Sequence, residues 1–313
     1  MMSGRVRAGG KTQASPLARL RKSAGLYLLI LPGVIYLLIY QYGPMVGVTV
    51  AFKEYSARLG IFASPWVGLK YFERFVTNYQ FSTLVSNTLL LSLYNLVLGF
   101  PIPILFSLLL NYVRSKRFKK VVQTISYAPH FISVVVLVGM VGILFAPVSG
   151  ILSQAMVALG GRRVMVLTEP GMFRHLYVIS NIWQEMGWNS IIYIAALASI
   201  DPALHEAAIV DGANKLKRIL HIDLPGIFPT IVTLLILNTG KLMSVGFEKA
   251  FLMQNNLNLP ISEIISTYVY KVGLQGAQFS YSAAIGLFNS AINVVLLVLV
   301  NHIARRLGEN SLW

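Results

Sequence analysis

The sequence Glu206-Ala207-Ala208-Ile209-Val210-Asp211-Gly212-Ala213, continued at Ile222-Asp223-Leu224-Pro225, is a charged segment enclosed by two long apolar ones. The 313-residue chain is 56% hydrophobic and only 12% charged, a composition that indicates a membrane protein rather than a soluble domain. A segment held between two membrane spans is fixed at both ends and is suited to docking a partner in water. An ordinary polar loop is the alternative.

The residues around this segment predict two short helices. Asp201-Pro202 predicts a helix start, because aspartate caps free N–H groups and proline lacks the N–H that the first turn leaves unpaired. Gly212 predicts the end of that helix, since glycine adopts positive φ without strain. Asn214 can cap a second helix that reaches Ile219, and Pro225 then opens the next apolar element. We therefore expect a bent helical projection hinged at Gly212.

The spacing Glu-Ala-Ala, three residues, Gly, nine residues, Ile-x-Leu-Pro resembles the coupling loop of membrane subunits of binding-protein-dependent ABC importers. The matching residues are Glu206, Ala207, Ala208, Gly212, Ile222, Leu224 and Pro225, and Asp211 belongs to the Asp-Gly-Ala extension of the maltose-type, sugar-importing branch. The resemblance implies that residues 201–225, hereafter the coupling segment, fit a cleft of a separate ATPase subunit. It also implies that Glu206 is the charged anchor and that the small Ala207 and Ala208 allow close approach.

Six apolar segments are long enough to cross a bilayer, for which about 20 residues are needed. They are Ala24–Phe52, Leu84–Leu110, Ser126–Phe145, His175–Ile200, Gly226–Val245 and Ser282–Ile303. Helices are expected, because lipid offers no partner for free backbone groups and no ten-residue alternating pattern predicts a barrel. We predict an all-α membrane protein with six transmembrane helices, the first retained and bent at Pro44. The resemblance implies the type I ABC importer permease fold.

The net charge of +15 is concentrated in four basic clusters, at residues 5–22, 114–120, 215–218 and 305–306. The positive-inside rule places these clusters in the cytoplasm, together with both termini and the coupling segment. Anionic lipid, rather than nucleic acid, is the expected counterpart of this charge. The expected organisation is a basic tail at 1–23, a transmembrane domain at 24–304 and a cytoplasmic tail at 305–313. The absence of cysteine excludes disulfides.

Several segments are expected on the outer side of the membrane. Aromatic residues crowd Lys53–Thr83, where anchoring at the membrane interface and partner contact are both open. Apolar residues at helical spacing from Ile151 to Leu159 predict a surface helix, and Pro260 opens another that reaches about Val272. The resemblance implies that residues 246–281 reach toward a binding protein, with packing as a lid as the alternative.

Glu185 is the only acidic residue deep in an apparent span, and such residues usually face protein or a water-filled cavity. Helical spacing places Asn181, Glu185, Trp188 and Asn189 on one face of the fourth span. A tryptophan among hydrogen-bonding groups suits a sugar, so this face is a candidate for the transport path. Hydrogen bonding between helices is the alternative.

Helix–helix hydrogen bonding is the favoured role of the remaining polar residues in the spans. These are Asn87, Tyr94, Asn95, Gln123, Tyr127, His130, Asn289 and Asn293. A metal or proton-relay role for His130 is not favoured, because the sequence offers no second histidine or carboxylate near it.

Gly10-Lys11-Thr12 resembles the end of a phosphate-binding loop, but Arg5 stands where that motif needs glycine, so no ATP site is predicted here. Pro129–Ser133, Gly187–Tyr193 and residues 279–313 resemble permeases for large oligosaccharides. The resemblance implies a bacterial inner-membrane permease subunit that is not itself an enzyme. The implied partners are a second homologous permease, two ATP-binding cassette subunits that use ATP and Mg, and an extracytoplasmic binding protein.

Two other classes of protein remain open at this point. The first is a secondary transporter that is driven by an ion gradient through Glu185. The second is an intramembrane enzyme built on the polar residues of the coupling segment, which are His205, Glu206, Asp211, His221 and Asp223.

Overall fold

The described part of the chain is helical. A computed structural model describes residues 24–306 except 147, 161–166, 168 and 245. Within this part, loops and one isolated antiparallel bridge between Lys53 and Trp66 join the helices. The tail predicted at residues 1–23 lies outside the described residues, as do residues 307–313. Arg305 and Arg306, which were assigned to the C-terminal tail, continue the last helix.

Fourteen helices follow one another in the described residues. In chain order they are α1 (Ala24–Phe52), α2 (Gly60–Ala63), α3 (Lys70–Val76), α4 (Phe81–Asn111), α5 (Lys116–Phe131), α6 (Val134–Leu144), α7 (Ile151–Ala158), α8 (Met172–Ala198), α9 (Pro202–Val210), α10 (Lys215–Thr239), α11 (Phe247–Met253), α12 (Leu259–Ser262), α13 (Ile265–Tyr270, continued by a π-helical turn at Lys271–Gln275) and α14 (Phe279–Arg306). Four of them, α1, α4, α10 and α14, are long and apolar enough to cross a bilayer. The bent pairs α5–α6 and α8–α9 raise the number to six if each pair counts as one span.

The third predicted span differs from the expected uninterrupted helix. The axes of α5 and α6 meet at 101°, with the break at Ile132 and Ser133. Pro129 disfavours a continuous helix at this point, and Ser133 starts the new helix by accepting a bond from the Val136 N–H at 3.3 Å. Most of the basic cluster at residues 114–120 is helical, because α5 already begins at Lys116.

The outer segments partly follow the predictions. Helix α7 lies where a surface helix was expected, and Gly160 beyond it has a φ of +81°. The helix predicted from Pro260 to Val272 is instead divided into α12 and α13, with extended backbone at Glu263 and Ile264 between them. Helix α11 was not predicted at all. In the first span the α-helix gives way to other helical geometry from Leu38 onward, and Pro44 lies in this part.

Helix α8 is central to the packing of the described residues, and two buried clusters form along its length. Its first half contributes Phe173 and Tyr177 to a cluster with Leu91 of α4 and Ala250 of α11. Its second half packs in another cluster, whose members are Ile104, Leu108, Tyr193, Leu197 and Ile227. Helix α4 thus packs along both halves of α8, while α11 joins the first half and α10 the second.

Close packing of α8 on α5 depends on Gly187. A Cβ atom at this position would overlap the backbone carbonyl of Ser126. We expect Gly187→Ala to lower the free energy of unfolding by about 1–3 kcal/mol, because the helices must separate to admit a methyl group. Thermal unfolding of the purified permease measures this, and Gly139→Ala is the control, since no atom lies within 4 Å of its added Cβ. Equal melting temperatures for the two variants would contradict the packing argument.

Candidate functional site

The coupling segment begins with the predicted capped helix. The Asp201 carboxylate accepts a bond from the Ala203 N–H at 2.9 Å, and Pro202 occupies the first position of α9. The axes of α8 and α9 meet at 71°, so the chain turns sharply where the long helix ends. This bend confirms the helical projection and rules out an irregular loop at α9.

Gly212 has the positive φ that the sequence predicts. Its φ is +75°, and the Ala213 N–H donates to the Ala208 carbonyl at 2.8 Å, which closes the end of α9. An added Cβ would meet no atom within 4 Å, so the backbone angle alone requires glycine within this chain. Asn214 then caps the next helix by accepting from the Lys217 N–H at 2.9 Å, as predicted.

Pro225 lies at the start of the apolar α-helix Leu224–Thr239, as predicted. This helix is not separate, however, because it continues directly from the preceding helical turns, so that α10 runs from Lys215 to Thr239. A π-helical turn from Ile219 to Asp223 precedes the proline. The wider turn changes the hydrogen-bond register just before a residue that has no N–H to donate, so the helix can continue through it.

The eight predicted coupling residues lie on one short stretch but differ in exposure. Glu206, Ala207, Asp211, Gly212 and Pro225 are exposed, and Ala208, Ile222 and Leu224 are half-buried. Exposed apolar side chains surround Glu206, namely Leu204, Ile209, Val210 and Leu216, and Val210 is 87% exposed. Glu206 itself has neither a hydrogen bond nor an ion pair with any described residue. A charged group amid exposed apolar residues is typical of a surface that binds another protein.

Asp223 ties the coupling segment to the body of the protein. Its carboxylate is fully buried and accepts a bond from the Tyr112 hydroxyl at 2.6 Å. His205 Nε2 of α9 lies 3.3 Å from the other carboxylate oxygen, at ion-pair distance. The Arg218 guanidinium lies 5.3 Å from the centre of the Tyr112 ring. Burial, reinforced by Asp223, raises the pKa of Tyr112 to about 12, so this hydroxyl remains a hydrogen-bond donor.

The sequence did not predict this cluster as a structural unit. It pointed to His205 and Asp223 only as components of the enzyme alternative, and it did not single out Tyr112. An aspartate within an otherwise apolar helix face, next to Ile222 and Leu224, was the available signal. Its partners are far away along the chain, so their identity could not be read from spacing.

Three of the four predicted path residues line one cavity. Asn181, Glu185 and Asn189 of α8 border a space of about 140 Å³, together with Asn95 of α4 and Asn238 of α10. The Asn181 side-chain amide donates to the Asn95 carbonyl oxygen at 3.0 Å. Asn181 therefore fits both predicted roles, as it borders a cavity and also bonds two helices. Asn238 was missed, although an asparagine within an apolar span is a visible signal.

Trp188, the fourth predicted residue, does not border this cavity. Its ring stacks on His130, with centroids 4.3 Å apart and planes inclined by 3°. His130 Nδ1 in turn lies 3.0 Å from Glu185 Oε2. The sequence argument that His130 has no nearby carboxylate was therefore wrong, because the break between α5 and α6 brings it to α8. The four predicted path residues therefore form a polar face of α8 with an aromatic ring on one side. His130 contacts both Trp188 and Glu185 on this face.

Most of the remaining polar residues bond to other segments, as predicted, whereas the side chains of Gln123 and Tyr127 bond to no described residue. Asn87 donates to the carbonyls of Pro260 and Glu263, and it also accepts from Arg174 at 2.8 Å. Asn289 and Asn293 both bond to the backbone of Met243. Tyr94 bonds to His175 at 2.6 Å.

The chain is similar to membrane subunits of known transport systems. The family described as binding-protein-dependent transport system inner membrane component matches residues 84–309. The chain is 45% identical over 297 residues to the polygalacturonan/rhamnogalacturonan transport system permease protein YteP of Bacillus subtilis (strain 168), covering 95% of this chain and 92% of that protein. It is 41% identical over 297 residues to LplB of the same organism, covering 95% and 93%.

Two solved structures of alginate transporters have the same fold. A bacterial ABC transporter involved in import of the acidic polysaccharide alginate matches with a TM-score of 0.86 and 41% identity, over 93% of this chain and 98% of that chain. The bacterial alginate ABC transporter in complex with an alginate pentasaccharide-bound periplasmic protein matches with a TM-score of 0.88 and 39% identity, over 96% and 100%. The chain therefore belongs to the family of inner-membrane components of binding-protein-dependent transport systems, as a multi-pass permease subunit.

Proposed function

We propose that this chain is one transmembrane subunit of an ATP-driven importer that moves oligosaccharides across the bacterial cytoplasmic membrane. Transport proceeds by alternating access in a pair of permeases. Closure of two ATPase subunits on the cytoplasmic side moves the coupling segment, and the attached helices swing the polar cavity from one side of the membrane to the other.

One observation carries this proposal: a single rigid helix joins the two candidate sites. Helix α8 is 27 residues long, with Glu185 on the cavity near its middle and the coupling segment at its end. The distance from Glu185 to the end of α8 is about 20 Å at 1.5 Å per residue. Only residues 199–201 separate α8 from α9, so a displacement of α9 by a partner would reach the cavity wall through a short connection.

The proposal includes a topology of six spans with both termini in the cytoplasm. The two bent pairs then count as one span each, with residues 1–23 as a basic tail, 24–304 as the membrane domain and 305–313 as a short tail. The alternation of basic clusters along the sequence supports this orientation, since basic segments remain on the cytoplasmic side.

The partners follow from the same architecture. They are a second homologous permease, two ATP-binding cassette subunits, an extracytoplasmic solute-binding protein and the surrounding lipid. ATP and Mg are used by the cassette subunits, and this chain binds no cofactor of its own. The coupling residues are Glu206, Ala207, Ala208, Asp211, Gly212, Ile222, Leu224 and Pro225. The path residues are Asn181, Glu185 and Asn189, with Trp188 at their edge.

The oligosaccharide substrate is supported by the relatives and by the cavity. Proteins similar over nearly the whole chain are named for polygalacturonan and rhamnogalacturonan or for alginate. The cavity lining is rich in asparagine, whose side chain both donates and accepts hydrogen bonds and so suits sugar hydroxyls.

Transport by the complete importer in proteoliposomes tests this function. We expect uptake of labelled oligosaccharides to require ATP, the binding protein and the cassette subunits together. An ion gradient alone should drive no uptake. Gradient-driven uptake without the cassette subunits would instead establish a secondary transporter that uses Glu185, and turnover of a lipid without transport would establish an enzyme.

A further inference from the structure

A pocket with basic side chains, hereafter the basic pocket, lies where the coupling segment meets the end of α4, apart from the cavity at Glu185. The turn after α4, helix α9 and the start of α10 enclose its space of about 420 Å³. Of the described residues that line it, Arg114, Lys215 and Arg218 carry a full positive charge and none is acidic. Two of the basic clusters seen in the sequence therefore meet here, although they are far apart along the chain.

The three cations of the basic pocket have no ion pair within the described part of the chain. Arg114 and Lys215 are exposed, and neither has a side-chain hydrogen bond to a described residue. Arg218 lies over the Tyr112 ring, 5.3 Å from its centre, and its Nε atom is a buried donor that no described residue satisfies. A buried donor without an acceptor costs free energy, so the Arg218 guanidinium is positioned to gain from a bound anion.

One carboxylate lies behind the basic pocket, but it is already engaged. Asp223 is fully buried and is contacted by Tyr112 and His205, which both line the pocket. It compensates one of the three positive charges, which leaves an excess of two. A phosphate group carries between one and two negative charges at neutral pH, so its charge matches this excess.

The position of the basic pocket suits a phosphate group at the membrane surface. Helix α4 is one of the helices long and apolar enough to cross a bilayer, and its last residue, Asn111, lines the pocket. The end of an apolar span lies near the lipid headgroups, and basic pockets between spans on the cytoplasmic side bind anionic headgroups. Arginine, in addition, can bind phosphate through two parallel hydrogen bonds.

We propose that Arg114, Lys215 and Arg218 form a binding site for a phosphate group, which connects the turn after α4 to α9 and α10. An anionic phospholipid of the inner leaflet and a soluble phosphate compound are the two sources of such a group. The bound phosphate holds the coupling segment against the membrane domain, so the ligand stabilises the folded permease. This site is separate from the transport path, and its occupancy can be measured without transport.

Native mass spectrometry of the complete importer complex tests the lipid source, with phosphatidylglycerol and phosphatidylcholine of equal chain length as probes. We expect the wild type to prefer phosphatidylglycerol and to melt at a higher temperature in its presence. Arg114→Gln/Lys215→Gln should lower the affinity for phosphatidylglycerol about tenfold and remove most of the rise in melting temperature. Arg117→Gln/Lys217→Gln is the matched control, because it removes the same charge from the same two clusters at exposed residues outside the pocket lining.

Thermal unfolding of the same complexes in inorganic phosphate, compared with chloride at equal ionic strength, tests the soluble source. A rise in melting temperature that Arg114→Gln/Lys215→Gln loses and the control keeps would identify a soluble phosphate compound as a ligand of the site. Preference for phosphatidylglycerol with the same dependence on the two variants, and no response to inorganic phosphate, would identify the lipid.

Three results would overturn the site. The first is an equal loss of affinity in the two double variants, because net charge alone would then attract the lipid. The second is failure of Arg114→Gln/Lys215→Gln alone to assemble with the cassette subunits, since the pocket would then receive an acidic side chain of the ATPase. The third is a folded wild type that responds to neither probe. If the double variant does not fold, Arg114→Gln and Arg114→Lys repeat the comparison, and only the first should lose affinity.

Discussion

Glu206→Lys is expected to reduce substrate-stimulated ATP hydrolysis and uptake at least about 100-fold while the permease remains folded in the membrane. Glu206 is exposed on α9 and bonds to no described residue, so its replacement should change the stability of the chain by only about 0.5 kcal/mol. At a docked interface the same change converts attraction into repulsion, which costs several kcal/mol. Uptake and ATP hydrolysis by the reconstituted importer measure the effect.

Glu73→Lys provides the matched charge reversal for this experiment. Glu73 is also an exposed residue of a helix, but it lies in α3, on the side proposed to face away from the ATPase. This variant should retain the ability of the ATPase subunits to assemble with the permease. Normal stimulated hydrolysis by Glu206→Lys would contradict the role of Glu206, as would an equal loss of assembly in both variants.

The parts of the structure that sequence predicted are those determined by neighbouring residues. Asp201 and Asn214 cap helices, and Gly212 adopts positive φ, because each of these features depends on the residue itself and on bonds within a few positions. Four of the six predicted apolar segments coincide with helices long and apolar enough to cross a bilayer, since the requirement for about 20 apolar residues is visible in composition alone.

The features that sequence reasoning missed depend on which helix faces meet. The contact of His130 with Glu185 joins residues 55 positions apart, and that of Tyr112 with Asp223 joins residues 111 positions apart. Neither spacing repeats a helical period, so no pattern within one segment indicates the partner. The burial of Lys249 was missed for a related reason. A lysine in a segment between two spans is expected to lie in water, but α11 packs against α6 and α8 and encloses it.

The sequence did not predict where helices are interrupted, because a helix can either end near a proline or continue through it. Around Pro129 the helix tightens to a 3-10 turn that ends at Phe131, and Ser133 caps the next helix. At Pro225 the helix continues, with a π-helical turn placed just before the proline. The proline restricts the local hydrogen bonds in both cases, but the packing of the flanking segments decides which solution is adopted.

Asp223→Ala is expected to destabilise the coupling segment more than any other single substitution considered for it. The Asp223 carboxylate is fully buried between Tyr112 and His205, so its removal leaves two polar groups without their partner. Loss of one member of a buried pair typically costs about 3–5 kcal/mol. We therefore expect a lower melting temperature and a reduced yield of folded permease, measured by thermal unfolding of the purified protein.

Asp223→Asn separates coupling from folding. Asparagine keeps an oxygen that can accept from the Tyr112 hydroxyl, but it removes the negative charge that faces His205 of α9. Helix α9 should then be held less firmly against α10, so that ATP hydrolysis continues while the amount of substrate imported per ATP falls. The ratio of the two rates in proteoliposomes measures this, because a simple loss of folded protein would lower both rates equally.

Asp201→Asn is the matched carboxylate-to-amide change at the opposite end of the coupling segment. Asn is as good an N-cap as Asp, and Asp201 is exposed, so this variant should transport normally. Tyr112→Phe should behave like a weaker form of Asp223→Asn, because it removes one of the two contacts. If Asp223→Asn imported as much substrate per ATP as Asp201→Asn does, the buried carboxylate would hold the fold together without transmitting motion, and α8 alone would have to carry the coupling.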